Sequence, residues 1–239
     1  MHNRVKQIMD EENYITFACP KCGNSVEYLE EYAGTAQPCP YCGEDVVVAN
    51  ADATEGHSLP LPLSTPRLIV RRLTPEDLAD VLEIVTDPEV YRYEERGPLD
   101  EDEGKRWLEA ALKKKLSDSE GKLFLGITEQ NGGKLIGITG LEYSDRDRRQ
   151  ADLWIQMNRS YQGKGFGSEA VVALLIFCLR DIGLHRVTAG CDCRNVASVR
   201  LLTKVGMRKE AEYRKDRFVD GEWVSSYRFA MLDEDIPRP

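Results

Sequence analysis

The sequence predicts an α+β domain with one central mixed sheet, preceded by a small region rich in cysteine. Strand-like and helix-like segments alternate over residues 67–239, whereas four of the seven cysteines fall within the first 50 residues. Between them lies the stretch ADATEGHSLPLPLSTP, whose small, polar and proline residues are typical of a linker. We therefore expect a small domain over residues 1–50, a linker over 51–66 and a full domain over 67–239.

Composition and charge narrow the possible roles. The chain of 239 residues is 41% hydrophobic, which is enough for a sizeable core, and its net charge of −9 argues against nonspecific nucleic-acid binding. Its first residues, MHNRVKQIMDEEN, contain no apolar run of signal-peptide length, and the longest such run, residues 170–179, is too short to span a bilayer. We expect a cytoplasmic protein that does not enter a membrane.

The elements of the large region follow from local signals. Residues 67–73 form a strand in this interpretation, and Thr74-Pro75 starts a helix that Asp87-Pro88 ends. Asn131-Gly132-Gly133 is typical of a hairpin turn. The remaining predictions are helices over 101–116, 165–180 and 195–205, and strands over 123–128, 135–141, 152–157, 186–191, 209–218 and 223–232.

Two cysteine knuckles give the strongest local signal. Cys19-Pro-Lys-Cys22-Gly and Cys39-Pro-Tyr-Cys42-Gly carry four thiols that can converge on one tetrahedral zinc ion. The alternatives are a redox pair or unliganded thiols, but a redox site needs only one pair, set in a βαβ pattern. Four sulfur ligands leave no open position, so the predicted zinc is structural.

The role of this zinc domain is a separate question. Zinc ribbons bind nucleic acid, bind proteins or only fold. Residues 1–50 carry three Lys/Arg and eight Asp/Glu, a net of −5, which disfavours nucleic acid. We therefore expect a docking site for a protein partner, or a purely structural domain.

A glycine-rich loop carries the second signal. Gln162-Gly163-Lys164-Gly165-Phe166-Gly167-Ser168-Glu169 follows a predicted strand and opens a predicted helix. Backbone N–H groups of such a loop and the positive end of the helix dipole favour a pyrophosphate. The spacing fits neither a P-loop nor a dinucleotide fingerprint. The alternative is an ordinary tight turn between strand and helix.

Several ordered motifs together resemble one enzyme family. The segment from Gln162 to Gly167 resembles the acetyl-CoA signature of the GCN5-related N-acetyltransferase superfamily, and its surroundings resemble the RimJ/RimL-type branch of ribosomal-protein acetyltransferases. The other matching segments, in order, are Thr65-Pro-Arg-Leu-Ile-Val-Arg-Arg-Leu, Asp87-Pro-Glu-Val, Tyr161-Gln-Gly-Lys-Gly-Phe-Gly-Ser-Glu-Ala, Asn195-Val-Ala-Ser198 and Asp220-Gly221-Glu-Trp223.

This resemblance implies an α/β/α sandwich whose mixed sheet splays open between the strand ending near Met157 and the strand ending near Cys191. Acetyl-CoA would be the cosubstrate, and its pantetheine arm would pair with backbone groups around Ile155 and Met157. Its pyrophosphate would meet the N–H groups of residues 163–168. Asn195 and Ser198 would contact the pantetheine; their alternative role is helix capping.

The implied reaction transfers an acetyl group to an amine. An α-amino group titrates near 8 and a lysine near 10.4, so a protein N-terminus needs less help from a base. Asp152 is the candidate base, although this branch shows Glu in the corresponding run; the shorter side chain favours relay through water. Its alternative role is an exposed strand carboxylate. Leu202 stands where many relatives have a tyrosine acid.

The first functional hypothesis is therefore an N-acetyltransferase acting on a protein N-terminal α-amino group. The second is an acetyltransferase for a small amine, such as a polyamine or an aminoglycoside. The third is a zinc-ribbon binding module with a CoA-sensing, non-catalytic domain. One scaffold can host all three. The oligomeric state, monomer or homodimer, stays open.

Overall fold

The computed structural model describes residues 14–19, 21–22, 24–29, 32, 35–47, 61–117, 119–130 and 133–236. The chain divides into two compact units, Met1–Ser58 and Leu59–Pro239. Among the described helices, none has the length and apolar character needed to cross a bilayer.

The described part of the first unit contains two short hairpins. Strands β1 (Tyr14–Ala18) and β2 (Ser25–Leu29) pair antiparallel, as do β3 (Ala36–Pro38) and β4 (Asp45–Val47). Cys19 and Cys22 lie between β1 and β2, and Cys39 and Cys42 lie between β3 and β4. The described core is small and is formed by Cys19, Val26, Cys39 and Val46, against which Tyr28 packs.

The second unit is built on one eight-stranded mixed sheet. Its spatial order is β11-β12-β10-β9-β8-β7-β6-β5, and β9 and β10 are its parallel pair. All the other neighbouring strands pair antiparallel. The strands are β5 (Leu63–Ser64), β6 (Leu68–Arg72), β7 (Lys122–Glu129), β8 (Leu135–Tyr143), β9 (Gln150–Met157), β10 (Arg186–Asp192), β11 (Arg208–Val219) and β12 (Glu222–Leu232).

Helices cover both faces of this sheet. The helices are α1 (Leu78–Val85), α2 (Pro88–Tyr91), α3 (Glu101–Lys113), α4 (Phe166–Ile176) and α5 (Val196–Lys204). Helices α1 and α3 share one apolar cluster with β8, and α4 and α5 share another with β9, β10 and β12. The predicted α/β/α sandwich is therefore confirmed.

Strand alternation decides which side chains of β9 face which layer. Ala151, Leu153 and Met157 lie in the cluster formed with α4, whereas Trp154 packs against the cluster of α1 and α3. Asp152 shares the parity of Trp154. It therefore lies on the α1/α3 face of the sheet, opposite the glycine loop and α4.

The structure corrects several predicted boundaries. Leu63–Ser64 forms β5 and pairs with β6, so the end of the expected linker belongs to the second unit. The expected linker residues 51–60 and the turn residues Asn131 and Gly132 lie outside the described residues. The second predicted helix ends at Lys113, and α4 gives way at Phe177–Asp181 to a π-helical turn.

Candidate functional site

The sheet opens between its two parallel strands. The β9–β10 ladder has three rungs, Arg186 with Gln150, Val187 with Ala151 and Thr188 with Asp152. Beyond these rungs β9 continues to pair with β8, and β10 with β12. Backbone groups of β9 and β10 therefore face each other across a gap. The predicted splay is present, and Asp152 lies at its root.

The glycine loop stands beside the open end of this gap. Gly163 and Gly165 have φ of +73° and +82°, a backbone region that favours glycine. Gly165 caps α4, whose first-turn N–H groups have no intrahelical partner. A Cβ on Gly167 would lie 3.6 Å from Met157 and 3.9 Å from Ile155. The structure thus brings the loop and the predicted β9 residues together.

A carboxylate from α4 ties this loop to the start of the unit. Glu169 Oε1 accepts hydrogen bonds from Thr65 Oγ1 at 2.6 Å and from the Arg67 N–H at 2.9 Å. Arg67 also donates to the Lys164 carbonyl at 3.1 Å and lies over the Phe166 ring. Burial raises the pKa of Glu169, but the bonds from Thr65 and Arg67 outweigh it and lower the pKa overall.

Gln162 and the lysine of the loop have separate roles. Gln162 donates through Nε2 to the Met157 carbonyl at 3.0 Å and so ties the loop to the end of β9. The Lys164 ammonium lies 5.2 Å from the centre of the Tyr161 ring. Ser168 and Lys164 also line an open groove of about 830 Å³ along the exposed side of α4. The β9 and β10 residues that face the gap do not line this groove.

Asn195 and Ser198 lie at the start of α5, next to the end of β10. Asn195 is the N-cap residue, and its side chain accepts from the Ser198 N–H at 3.0 Å. The Ser198 hydroxyl bonds the Cys191 thiol, whose pKa burial nevertheless raises. The capping role is therefore observed, and the side chain of Ser198 lies against the β10 strand that borders the gap.

Asp152 belongs to a polar network on the α1/α3 face. Its Oδ1 accepts hydrogen bonds from the Thr188 hydroxyl and from Arg228 Nη2. Arg228 Nη2 also donates to Thr188 Oγ1 at 2.9 Å. The side chains of Asp152 and Arg228 are 38% and 33% exposed, so the pair is accessible from this face. Leu202, in contrast, is buried on the other face.

The end of α2 and the residues that follow it contact β9 and β11. Tyr91 hydrogen-bonds Gln156 of β9, and Arg217 of β11 pairs with Glu95 at 2.8 Å and with Glu94 at 3.8 Å. Burial raises the pKa of Glu94, and Arg217 only partly offsets this. Among the described carboxyl groups with a resolved shift, this is the one whose pKa is raised.

The four knuckle cysteines form a compact cluster in the first unit. Their Sγ atoms lie within 4.8 Å of one another, with Cys19–Cys42 at 3.9 Å and Cys22–Cys39 at 3.8 Å. A tetrahedral zinc ion with Zn–S bonds of about 2.3 Å has S–S edges of about 3.8 Å. The donor set and its spacing therefore fit zinc. Backbone N–H groups approach the sulfurs, as the Lys21 N–H does to Cys19 at 3.4 Å.

Comparison with known proteins identifies the family. The sequence profile of the family described as "Acetyltransferase (GNAT) domain" matches residues 67–208, which is more than half of the chain. The chain belongs to the GNAT acetyltransferase family. This GNAT protein is 30% identical over 174 residues to "Uncharacterized N-acetyltransferase YnaD" of Bacillus subtilis, covering 72% of the chain and 98% of that relative. The second unit is thus a GNAT-family N-acetyltransferase domain.

A solved structure agrees with this fold. The GNAT-family acetyltransferase from Bacillus anthracis superposes with a TM-score of 0.66 at 25% identity and covers 72% of this chain and 98% of its own. The RimJ protein of Mycobacterium smegmatis, solved with CoA-disulfide, gives 0.62 at 20% identity and covers 72% and 84%. At 20% sequence identity, this structural similarity concerns the fold.

Two more distant relatives act on different acceptors. The "[Ribosomal protein uS5]-alanine N-acetyltransferase" of Escherichia coli is 27% identical and covers 47% of the chain and 58% of its own length. The spermidine N(1)-acetyltransferase of the same organism is 24% identical and covers 68% and 84%. Both acceptor classes therefore occur among relatives of this GNAT domain.

Sequence reasoning missed several residues of the site. Arg228 reaches Asp152 across 76 positions of sequence, and Arg67 reaches Glu169 across 102. Arg228 stands in none of the matching motifs. Arg67 lies inside the matching segment that starts at Thr65, so its position in the family pattern was the available signal. Arg228 offered none.

Proposed function

We propose that the second unit transfers the acetyl group of acetyl-CoA to the N-terminal α-amino group of a protein. The gap between β9 and β10, opening beside the left-handed Gly163 and Gly165, is the observation that carries this proposal. Exposed backbone edges suit the amides of pantetheine, and the loop suits a pyrophosphate.

Residues on the α4 side would hold the cosubstrate. The backbone of Ile155 and Met157 would pair with the pantetheine arm, and the N–H groups of Gly163 to Ser168 would bind the pyrophosphate. Lys164 would add a positive charge. Asn195 and Ser198 would border the pantetheine while α5 keeps its cap. The open groove beside Ser168 leaves room for the remaining phosphate and adenosine groups.

Asp152 would handle the proton. Acetyl-CoA supplies the acetyl thioester, whose carbonyl carbon bonds to the amine nitrogen as the C–S bond breaks. The nitrogen loses a proton in this step, and Asp152, which lies at the root of the gap, would take it directly or through a water. A backbone N–H at the splay would stabilise the developing negative charge on oxygen.

Acidity of the amine favours an N-terminal acceptor. An α-amino group with a pKa near 8 is partly neutral at pH 7.5, whereas a lysine or polyamine amine with a pKa near 10 is almost entirely charged. Asp152 is one methylene shorter than Glu, which suits an acceptor amine that needs less help from a base. The alanine N-acetyltransferase relative and the RimJ-type motifs support the same choice.

The decisive experiment measures CoA release with four acceptors: a peptide with a free N-terminal alanine, the same peptide N-terminally blocked but carrying a lysine, spermidine and an aminoglycoside. Turnover with the free N-terminus above the other three is expected. If only spermidine or only the aminoglycoside is acetylated, the acceptor is a small amine and not a protein N-terminus. If calorimetry detects no CoA binding, the proposed acetyltransferase function is refuted.

Replacing the candidate base tests its role. Asp152→Asn is expected to lower kcat/KM about 100-fold and to remove the acidic limb of the pH–rate profile, as loss of a general base does. Exposed Asp147→Asn serves as the matched control. An unchanged acidic limb in Asp152→Asn would remove Asp152 from the reaction.

We also propose that Cys19, Cys22, Cys39 and Cys42 hold one structural zinc ion. Two of their Sγ–Sγ distances, 3.9 Å and 3.8 Å, are close to the tetrahedral edge, and all four sulfurs lie within 4.8 Å of one another, which supports this. The described core of four buried residues is too small to fold the unit alone, so metal binding would supply much of the folding free energy. Mass spectrometry should give one zinc per chain, and Cys39→Ser should abolish it; a metal-free parent would refute the site.

A further inference from the structure

Arg228 spans three strands of the sheet. It lies on β12 directly opposite Gly190 of β10. Its Nη1 lies so close to Gly190 that a Cβ there would be 3.4 Å away. Its Nη2 reaches Thr188 on β10 and Asp152 on β9. The absence of a side chain at Gly190 leaves the guanidinium room to cross β10.

This network is attached to one oxygen of the carboxylate. Thr188 and Arg228 both donate to Asp152 Oδ1, and within the described chain no residue donates to Oδ2. Because Arg228 also bonds Thr188, the three groups close a triangle that fixes the plane of the carboxylate. A carboxylate oxygen can accept two hydrogen bonds, so Oδ2 keeps its capacity for an amine or a water.

We propose that Arg228 is a positioning residue for acetyl transfer, which holds Asp152 through Oδ1 so that Oδ2 receives the proton of the acceptor amine. This inference rests on the proposed function. As the N–C bond forms and the C–S bond breaks, the proton passes from nitrogen to Oδ2 and CoA leaves as the thiolate. The thiolate then takes a proton from solvent, and Oδ2 returns its proton to solvent.

An arginine suits this task for two reasons. It stays charged at every working pH, and its planar fork can bond two acceptors in a fixed geometry. A carboxylate that is already held in place loses less conformational entropy in the transition state. Asp152 also has a shorter reach than the Glu of the related branch, so its orientation matters more.

The test compares Arg228→Met, Arg228→Lys and, as a matched control, the exposed Arg214→Met. Arg228→Met is expected to lower kcat by about tenfold to 100-fold while KM for acetyl-CoA stays within about twofold. The loss should be confined to kcat, because the arginine orients the base without touching acetyl-CoA. Arg228→Lys should recover part of the kcat, and Arg214→Met should match the parent.

A second pair of variants displaces the guanidinium without removing it. Gly190→Val would fill the space that Arg228 crosses, whereas an alanine Cβ at 3.4 Å makes only ordinary contact. Gly190→Val is therefore expected to show the lowered kcat and parental KM of Arg228→Met, and Gly190→Ala the parental values of both.

The outcomes separate this inference from the function on which it rests. A parent that releases no CoA with any amine overturns both. A parent that turns over, beside an Arg228→Met variant with parental kcat, overturns the positioning role alone. A lower melting temperature together with a raised KM for acetyl-CoA and no rescue of kcat by Arg228→Lys also overturns it, because these changes show a purely structural arginine.

Discussion

Arg67 and Glu169 stand 102 positions apart, yet the Nε of Arg67 donates to Glu169 Oε2 at 2.6 Å. The same arginine contacts the glycine loop through the Lys164 carbonyl and the Phe166 ring. Glu169 thus connects the start of the second unit to the loop that we assign to the pyrophosphate. Its loss should disturb cosubstrate binding without touching the proton-transfer site.

Glu169→Ala is accordingly expected to raise KM for acetyl-CoA about threefold to tenfold and to lower the free energy of unfolding by about 1–3 kcal/mol, the usual range for a lost charged hydrogen-bond partner. Steady-state kinetics and urea unfolding measure both. Glu109→Ala, at an exposed acid of α3, should change neither. Parental KM in a destabilised Glu169→Ala would show that the contact serves stability alone.

Two glycines allow stability and binding to be separated. Gly163 and Gly183 have nearly equal φ, +73° and +79°, and a Cβ on either would meet no atom within 4 Å. Replacement by Ala should therefore cost each about 1–2 kcal/mol of backbone strain. We expect only Gly163→Ala to raise KM for acetyl-CoA, because Gly183 lies after the far end of α4. Equal KM effects in the two variants would contradict the loop assignment.

Much of this molecule follows from local sequence. Gly163 and Gly165 mark the loop because their backbone angles exclude most other residues, and the order of strands and helices follows from hydrophobic period and caps. The start of the gap does not follow, since β9 alternates in the same way on both sides of Asp152. The bond from Arg228 to Asp152 depends on strand order and on bare Gly190, which only the tertiary structure brings together.

Nonlocal contacts and an unbroken hydrophobic period also explain the two smaller differences between the predicted and the observed elements. The short strand Leu63–Ser64 lies between Pro62 and Pro66, so local composition favoured a linker, while its pairing with β6 is a nonlocal contact. The apolar run through Phe177–Asp181 shows no break in period, so it could not reveal the π-helical turn.

Acid should destabilise the second unit through Asp77. Burial raises the pKa of Asp77, but the hydrogen bonds from Arg71 and from the Thr74 N–H lower it by more than burial raises it. The net pKa therefore lies below its ordinary value. A depressed folded pKa means that the stabilisation is complete above the unfolded pKa of about 3.9 and is lost as pH falls through the folded pKa.

Asp77→Asn should therefore lower the free energy of unfolding at pH 7 by about 1–3 kcal/mol, and its difference from the parent should shrink between about pH 4 and pH 2. Urea unfolding followed by tryptophan fluorescence reports this unit, because Trp107, Trp154 and Trp223 all lie in it. Exposed Asp147→Asn should leave the curve unchanged. A pH-independent difference would show that packing, not charge, is lost in the variant.

Metal removal should affect the first unit and spare the second. Two of the four cysteines, Cys19 and Cys39, belong to a small apolar cluster of the first unit, whereas the sheet domain has two larger clusters. A strong chelator is expected to abolish the dispersed amide NMR signals of the β1–β4 hairpins, because zinc sites of this size fold with their metal. Tryptophan fluorescence and its urea midpoint should stay at parental values, and added zinc should restore the lost signals. A matching fall of the tryptophan midpoint on chelation would contradict this independence, and intact hairpin signals without metal would show that the apolar cluster alone folds the first unit.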